Sequence, residues 1–132
     1  MQTRPRFLLL TFAAVALVAT GCSRYSDFVA EPADGNNPAR GNVAAGAVAM
    51  RTYGCSACHS TPGIEGPRAT VGPPLDHLAN RIYLAGQLPN TPANLVHWIE
   101  RPRDIHPDTV MPNMDVPDQT AHDIAAYLYT LR

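Results

Sequence analysis

Cys55, Cys58 and His59 are the residues of this chain whose types and spacing carry the most chemistry. The run Cys55-Ser56-Ala57-Cys58-His59 offers two thiols separated by two residues, with an imidazole directly behind the second. Thiols at that spacing can bond the two vinyl groups of a haem, and the adjacent imidazole is placed to ligate the iron axially. Other uses of a Cys-x-x-Cys pair fit less well. A structural zinc site needs a second pair of ligands at matching spacing, and the one cysteine left over is Cys22. A thioredoxin-like redox pair sits at a strand end in an α/β chain, and strand-period alternation is scarce here. A plain disulfide makes no use of His59.

An iron held by His59 has a second axial position, and its occupant decides what the protein does. Thioether ligation raises the reduction potential and saturates the iron, which suits electron transfer, whereas an open site permits ligand binding or peroxide chemistry. The candidates are Met111 and Met114 in Val110-Met111-Pro112-Asn113-Met114, and the histidines His77, His97, His106 and His122. Met111 follows His59 by 52 residues, in a proline-rich stretch where a loop can fold back over the far side of a haem. Met114 is close enough to compete, and core packing is the alternative use of either methionine. Of the histidines, His106 alone lies near the methionine loop.

The elements that must position these residues read as helices. Val43, Ala47, Met50 and Gly54 recur on one helical face leading into the cysteine pair, with Gly46 on the same side. Leu75, Leu78, Ala79 and Ile82 follow the same rule, with Gly86 as a terminator. Thr91-Pro92 reads as an N-cap followed by proline at the first helical position, opening a segment whose buried stripe is Leu95, Trp98 and Ile99 and which Pro102 stops. From Asp118 to Leu131, Ala121, Ile124, Leu128 and Leu131 share a face, and Asp118 and Asp123 lie toward the positive helix start. The expected class is all-α, with four short helices.

At 132 residues, 45% of them hydrophobic, the chain is the size of one small domain. Its basic residues are ten arginines without a lysine, balanced by eleven acidic residues and forming no cluster, which argues against nucleic-acid binding. Residues 1–21 read as a signal peptide of lipoprotein type. Arg4 and Arg6 form a positive start, and the uncharged run from Phe7 to Thr20 is shorter than the roughly 20 apolar residues of a membrane span. Ala19-Thr20-Gly21-Cys22 resembles a bacterial lipobox, in which Cys22 is acylated and becomes the mature N-terminus. Cleavage there leaves eight arginines against eleven acidic residues, a net charge of −3. The lipidated end and a flexible tether rich in Pro, Gly and Asn occupy residues 22–40, and the folded domain is expected over 41–132.

From about Arg40 to Arg132 the chain resembles a class I c-type cytochrome. The resemblance rests, in order, on Tyr53-Gly54-Cys55-Ser56-Ala57-Cys58-His59, Gly72-Pro73-Pro74-Leu75, Met111-Pro112 and Asp123-Ile124-Ala125-Ala126-Tyr127-Leu128. The stretch from Leu88 to Ile99 is similar to the cytochrome c domains fused to subunit II of some haem-copper oxidases, and to small membrane-attached cytochromes like them. The resemblance implies a small all-α class I cytochrome c fold around one covalently attached haem c. It implies thioethers to Cys55 and Cys58, His59 as proximal ligand, Met111 as distal ligand, and the Pro73 carbonyl accepting the His59 Nδ1 proton. Gly46 is then where the first helix crosses the last, near Tyr127 and Leu128. Arg81, Tyr83 and Trp98 resemble positions that contact the haem propionates. Pro117 departs from the pattern, standing where relatives have Ser or Thr, so the cap of the last helix is expected to move to Asp118.

The function these features imply is electron transfer by a single haem c with His/Met ligation, without substrate chemistry of its own. The lysine-rich docking face of soluble carriers is absent, and a tether to the partner's membrane replaces long-range steering. The expected protein is therefore exported to the periplasmic side and anchored through Cys22, as a monomer or complex subunit. It passes electrons from a respiratory donor to a terminal oxidase or similar acceptor. Ser23 favours the outer membrane and respiratory function the cytoplasmic one, so the choice of membrane stays open. Two alternatives stand beside the shuttle: a haem c subunit of a dehydrogenase complex, and a haem enzyme or gas-binding module with a labile distal ligand.

Overall fold

The computed structural model describes residues 39–67 and 69–132. The signal-peptide reading, the lipid anchor at Cys22 and the tether as far as residue 38 lie outside the described residues. Among the described residues no helix is long and apolar enough to cross a membrane. The fold is mainly helical: α1 (Val43–Thr52), a hairpin of β1 (Tyr83–Leu84) and β2 (Leu88–Pro89), α2 (Pro92–Glu100), α3 (Pro102–Ile105) and α4 (Asp118–Leu128).

Helix α1 starts at Asn42, whose side chain accepts from the Ala45 N–H at 2.8 Å and satisfies one of the free donors of the first turn. It buries Gly46, Ala49 and Met50, while Val43 and Ala47 are half-buried, so the inward face is rotated slightly from the expected stripe. Gly54 lies beyond the helix end, at φ +67°. The buried face of α1 packs on α4, which buries Ala121, Ile124, Ala125, Ala126 and Leu128. At the crossing, a β-carbon on Gly46 would strike the Asp123 carbonyl and touch Tyr127, so only glycine permits this approach. The chain leading into α1 is tied to the same helix. His122 Nδ1 donates to the Ala39 carbonyl at 2.6 Å, and the Asn42 N–H to Asp123 Oδ1 at 2.8 Å. Ala39 is 1% exposed, so the folded body takes in residues ahead of the expected start at 41.

Helix α2 begins as its sequence implies: Thr91 Oγ1 accepts from the Asn94 N–H at 3.3 Å, and Pro92 occupies the first turn, where no N–H is needed. It packs Leu95, Val96 and Ile99 inward against α4 and leaves Trp98 half-buried.

Three expectations are corrected. The helix over residues 75–86 is absent. Only the 3₁₀ turn Leu78–Asn80 forms, His77 before it takes a left-handed φ of +53°, and the chain then enters the hairpin with Ile82 77% exposed. The hairpin turns through Ala85 and Gly86, both at positive φ, and the Gln87 N–H donates to the Leu84 carbonyl at 3.0 Å. Gly86 thus serves a strand turn rather than a helix end, and the fold is mostly helical rather than purely so. Next, Pro102 not only ends α2 but opens α3, because a proline fits the first turn of a new helix as well as it stops an old one. The four α-helices are therefore not the four expected. Finally, Asp118 is the first residue of α4 and not its cap, since Pro117 holds the cap position without a side-chain hydrogen bond. Leu131 lies past the end of α4 but still packs on the core, and its carbonyl accepts from the Ala79 N–H at 3.0 Å.

Candidate functional site

Gly54 turns the chain out of α1, and its left-handed backbone, cheap only for glycine, starts the 3₁₀ turn Cys55–Ala57. The turn closes through the Cys58 and His59 N–H groups, which both donate to the Cys55 carbonyl, at 3.2 and 3.0 Å. Cys55 and Cys58 are half-buried and do not pair as a disulfide. Burial pushes the Cys55 thiol up, and the nearby Cys58 adds to this while a backbone hydrogen bond opposes it. Burial of this kind disfavours the thiolate at Cys55.

The segment 72–75 is strapped across this turn. Gly72 N–H donates to the Cys58 carbonyl and Leu75 N–H to the Ser60 carbonyl, each at 2.8 Å. These bonds bring the Pro73 carbonyl to 2.7 Å from His59 Nδ1. A carbonyl only accepts, so Nδ1 carries the proton and the lone pair sits on Nε2. Gly72 packs flat against the imidazole, where a β-carbon would overlap the ring. The strap is fastened in turn by Arg81, whose guanidinium donates to the Pro74 carbonyl and, at 2.9 Å, to the Asp76 carbonyl. Asn90 holds the other end of that segment: its side-chain amide donates to the Leu78 and Arg81 carbonyls at 2.8 and 2.9 Å.

Cys55, Cys58 and His59 open onto a cavity of about 640 Å³, within the range of roughly 300–1,000 Å³ usual for cofactor and small-molecule sites. Its floor is apolar, with Met50 of α1, Leu95 and Ile99 of α2, and Ile124 and Leu128 of α4 among the walls. Pro73, Arg81, Tyr83, Trp98, Met111 and Met114 line the same cavity, so every expected site residue among the described residues is gathered there. Met111 is half-buried, whereas Met114 is 37% exposed.

The spare histidines separate by position. His77 and His97 are exposed and do not line the cavity, and His122 is engaged by Ala39. His106 is exposed as well but does line it. The wall residues Leu84 and Val116 escape the sequence reading, and Leu78 enters it only as a position on an expected helix face. Leu84 belongs to a hairpin that the helical spacing of residues 75–82 concealed. Among the described residues, no three His, Cys, Asp or Glu side chains converge as a site for a bare metal ion. The arrangement presents two thiols, an oriented imidazole and two thioethers around an apolar space. That donor set suits a soft or borderline metal carried within a largely apolar group. A scan against protein-family models finds no match, and a search of curated proteins returns no significant one.

Proposed function

We propose that this chain is a class I c-type cytochrome, an electron carrier with one covalently attached haem c. The observation that carries the reading is that the Cys55-Cys58-His59 run and Met111 line one apolar cavity of cofactor size. The residues fit the group. Cys55 and Cys58 would hold it through thioethers, and His59 Nε2 and the Met111 sulfur would be its axial ligands. When bound, the haem supplies a one-electron couple between ferrous and ferric iron.

The chain's residues set the conditions for that couple. Pro73 fixes the His59 tautomer and ring orientation, which makes the imidazole a stronger donor. The apolar walls contributed by α1, α2 and α4 would shield a bound haem from water and so lower the dielectric around its iron. Arg81, Tyr83 and Trp98 would meet the propionates, with Arg81 held ready by backbone carbonyls. No side chain acts as acid, base or nucleophile, so the protein exchanges electrons with partner proteins and transforms no substrate of its own. A lipid on Cys22 would hold it beside those partners at high effective concentration, as a shuttle from a respiratory donor to a terminal oxidase or similar acceptor.

The test is an optical spectrum of haem-loaded protein, oxidised and then reduced, with carbon monoxide added to the reduced form. A methionine-to-iron charge-transfer band with no shift on carbon monoxide supports the carrier. Ready carbon monoxide binding without that band replaces it with a ligand-binding or peroxide-consuming haem module. Co-purification of the native membrane complex separates a free shuttle from a bound subunit.

A further inference from the structure

We infer that His106 is a second distal donor of this site, able to take the iron when the methionine sulfur leaves. The inference rests on the haem reading and concerns which of this chain's residues compete for the second axial position. Four observations carry it. His106 lines the same cavity as His59 and Met111, and it precedes Met111 by five residues on the same loop. Its ring has no hydrogen-bond or ion-pair partner among the described residues, whereas His59 is held by Pro73 and His122 by Ala39. The chain contains no lysine, so no side-chain amine competes, and arginine stays charged and does not ligate.

The fourth observation is the loop itself. From 107 to 116 it donates only two hydrogen bonds, Thr109 N–H to the His106 carbonyl at 3.0 Å and Met111 N–H to Thr109 Oγ1 at 3.2 Å. Both lie inside the loop, whereas the His106 N–H donates to the Pro102 carbonyl at 2.9 Å; His106 is therefore anchored beside the cavity while no hydrogen bond ties Met111 to anything outside the loop. An imidazole is a good iron ligand, and losing the thioether for it lowers the reduction potential. The site therefore carries a built-in low-potential state, and removing Met111 does not simply open the iron.

The test uses the full haem-loaded chain with Met111→Leu and Met114→Leu together, which keep volume and packing but remove both thioethers. The same chain carrying His106→Ala in addition is the comparison. With His106 present, the ferric protein is expected to lose the charge-transfer band yet stay low-spin, at a potential below wild type. Adding His106→Ala should make it high-spin. If His106 closes about nine-tenths of the molecules, the same change raises apparent carbon monoxide affinity in the ferrous state about tenfold.

Equal carbon monoxide binding in the two proteins overturns the inference. So does low-spin nitrogen ligation that survives His106→Ala. Should the doubly substituted chain lose its helical circular dichroism, Met111→Leu alone, with and without His106→Ala, replaces it. A charge-transfer band retained in that single variant would make Met114 the reserve donor and overturn the inference in the same way. An alkaline pyridine spectrum of the wild-type protein separates the two levels. Absence of covalently attached haem defeats the haem reading, and its presence leaves the variants to decide on His106.

Discussion

Two segments supply the side chains proposed to bind the iron, and they are held in opposite ways. The segment from Cys58 to Leu75 is cross-strapped by its own backbone, its histidine is fixed by a carbonyl and a flat glycine, and Arg81 ties it from outside. The segment from His106 to Val116 is tied outside itself only at its first residue, where the His106 N–H donates to the Pro102 carbonyl at 2.9 Å; its two further hydrogen bonds are internal, and Val116 is its one buried residue. Pro107 and Pro112 lack the N–H groups that could add more. The chain preorganises the proximal donor and leaves the distal loop to be shaped by what it closes over. On the proposed cytochrome reading such a division suits an electron carrier, since the identity of the distal ligand is one of the levers that tune the potential.

The strongest way to break the comparison is to remove the two thiols proposed to attach a group between the two segments. On the haem reading, Cys55→Ala and Cys58→Ala leave no group attached, and the inner faces of α1, α2 and α4 that line the cavity lose their cover. Helices of about ten residues are marginal alone, and a domain this small has little other core. The doubly substituted chain is expected to lose most of its helical circular dichroism. Native-like helicity without haem would mean that the proximal straps and the α1–α4 contact suffice on their own.

Next in size is Gly72→Ala. The added methyl overlaps the His59 ring, which must tilt away from the Pro73 carbonyl or push the strap off Cys58. Overpacking of this kind costs about 1–3 kcal/mol, to be measured by denaturant unfolding of the loaded protein. Lower haem content and a weaker proximal bond should accompany it. Val110→Ala, in the other segment at a position 76% exposed, should change stability by no more than about 0.5 kcal/mol. If the two substitutions had equal effects, the rigid and loose halves would not be distinct.

The contrast also explains what could be read from residue order alone. Cys55, Cys58 and His59 announce themselves because their chemistry depends on local spacing, and Thr91-Pro92 because a cap and a proline act within one turn. The stretch from Leu75 to Ile82 misleads for a physical reason. Three or four apolar residues at helical intervals are also what a strap and a 3₁₀ turn need to cover a core, and the period cannot tell these apart. What keeps that stretch from coiling is non-local: Arg81 claims the Pro74 and Asp76 carbonyls, and Asn90, after the hairpin, claims those of Leu78 and Arg81. Pro102 and Pro117 show the same limit at helix ends. A proline marks a boundary, but whether a helix stops, starts or goes uncapped there depends on what packs nearby.

A smaller effect sharpens the comparison from the distal side. Thr109→Val removes the Oγ1 acceptor that holds the Met111 N–H, one of the loop's two bonds. The stability lost should be about 0.5–1.5 kcal/mol, the net worth of one hydrogen bond. Its spectral consequence should be selective: a weaker methionine charge-transfer band and faster carbon monoxide binding, with the His59 side untouched. Equal disturbance of both axial ligands would show that the loop is not an independent unit.

The smallest effect lies behind the proximal strap, where Tyr129 donates its hydroxyl to Asn90 Oδ1 at 2.9 Å and so steadies the amide that holds Leu78 and Arg81. Burial raises the Tyr129 hydroxyl above its ordinary value near 10. The folded chain therefore keeps this proton at a pH where the unfolded chain has released it. Stability from the group is complete below the unfolded value and is lost as pH rises through the folded one. Denaturant midpoints of the loaded protein should accordingly fall above about pH 10. Tyr129→Phe should flatten that fall while lowering stability slightly at neutral pH, through the lost hydrogen bond. If the alkaline slope were the same in both proteins, the ring would be titrating as an exposed phenol, and Asn90 would be holding the strap without its help.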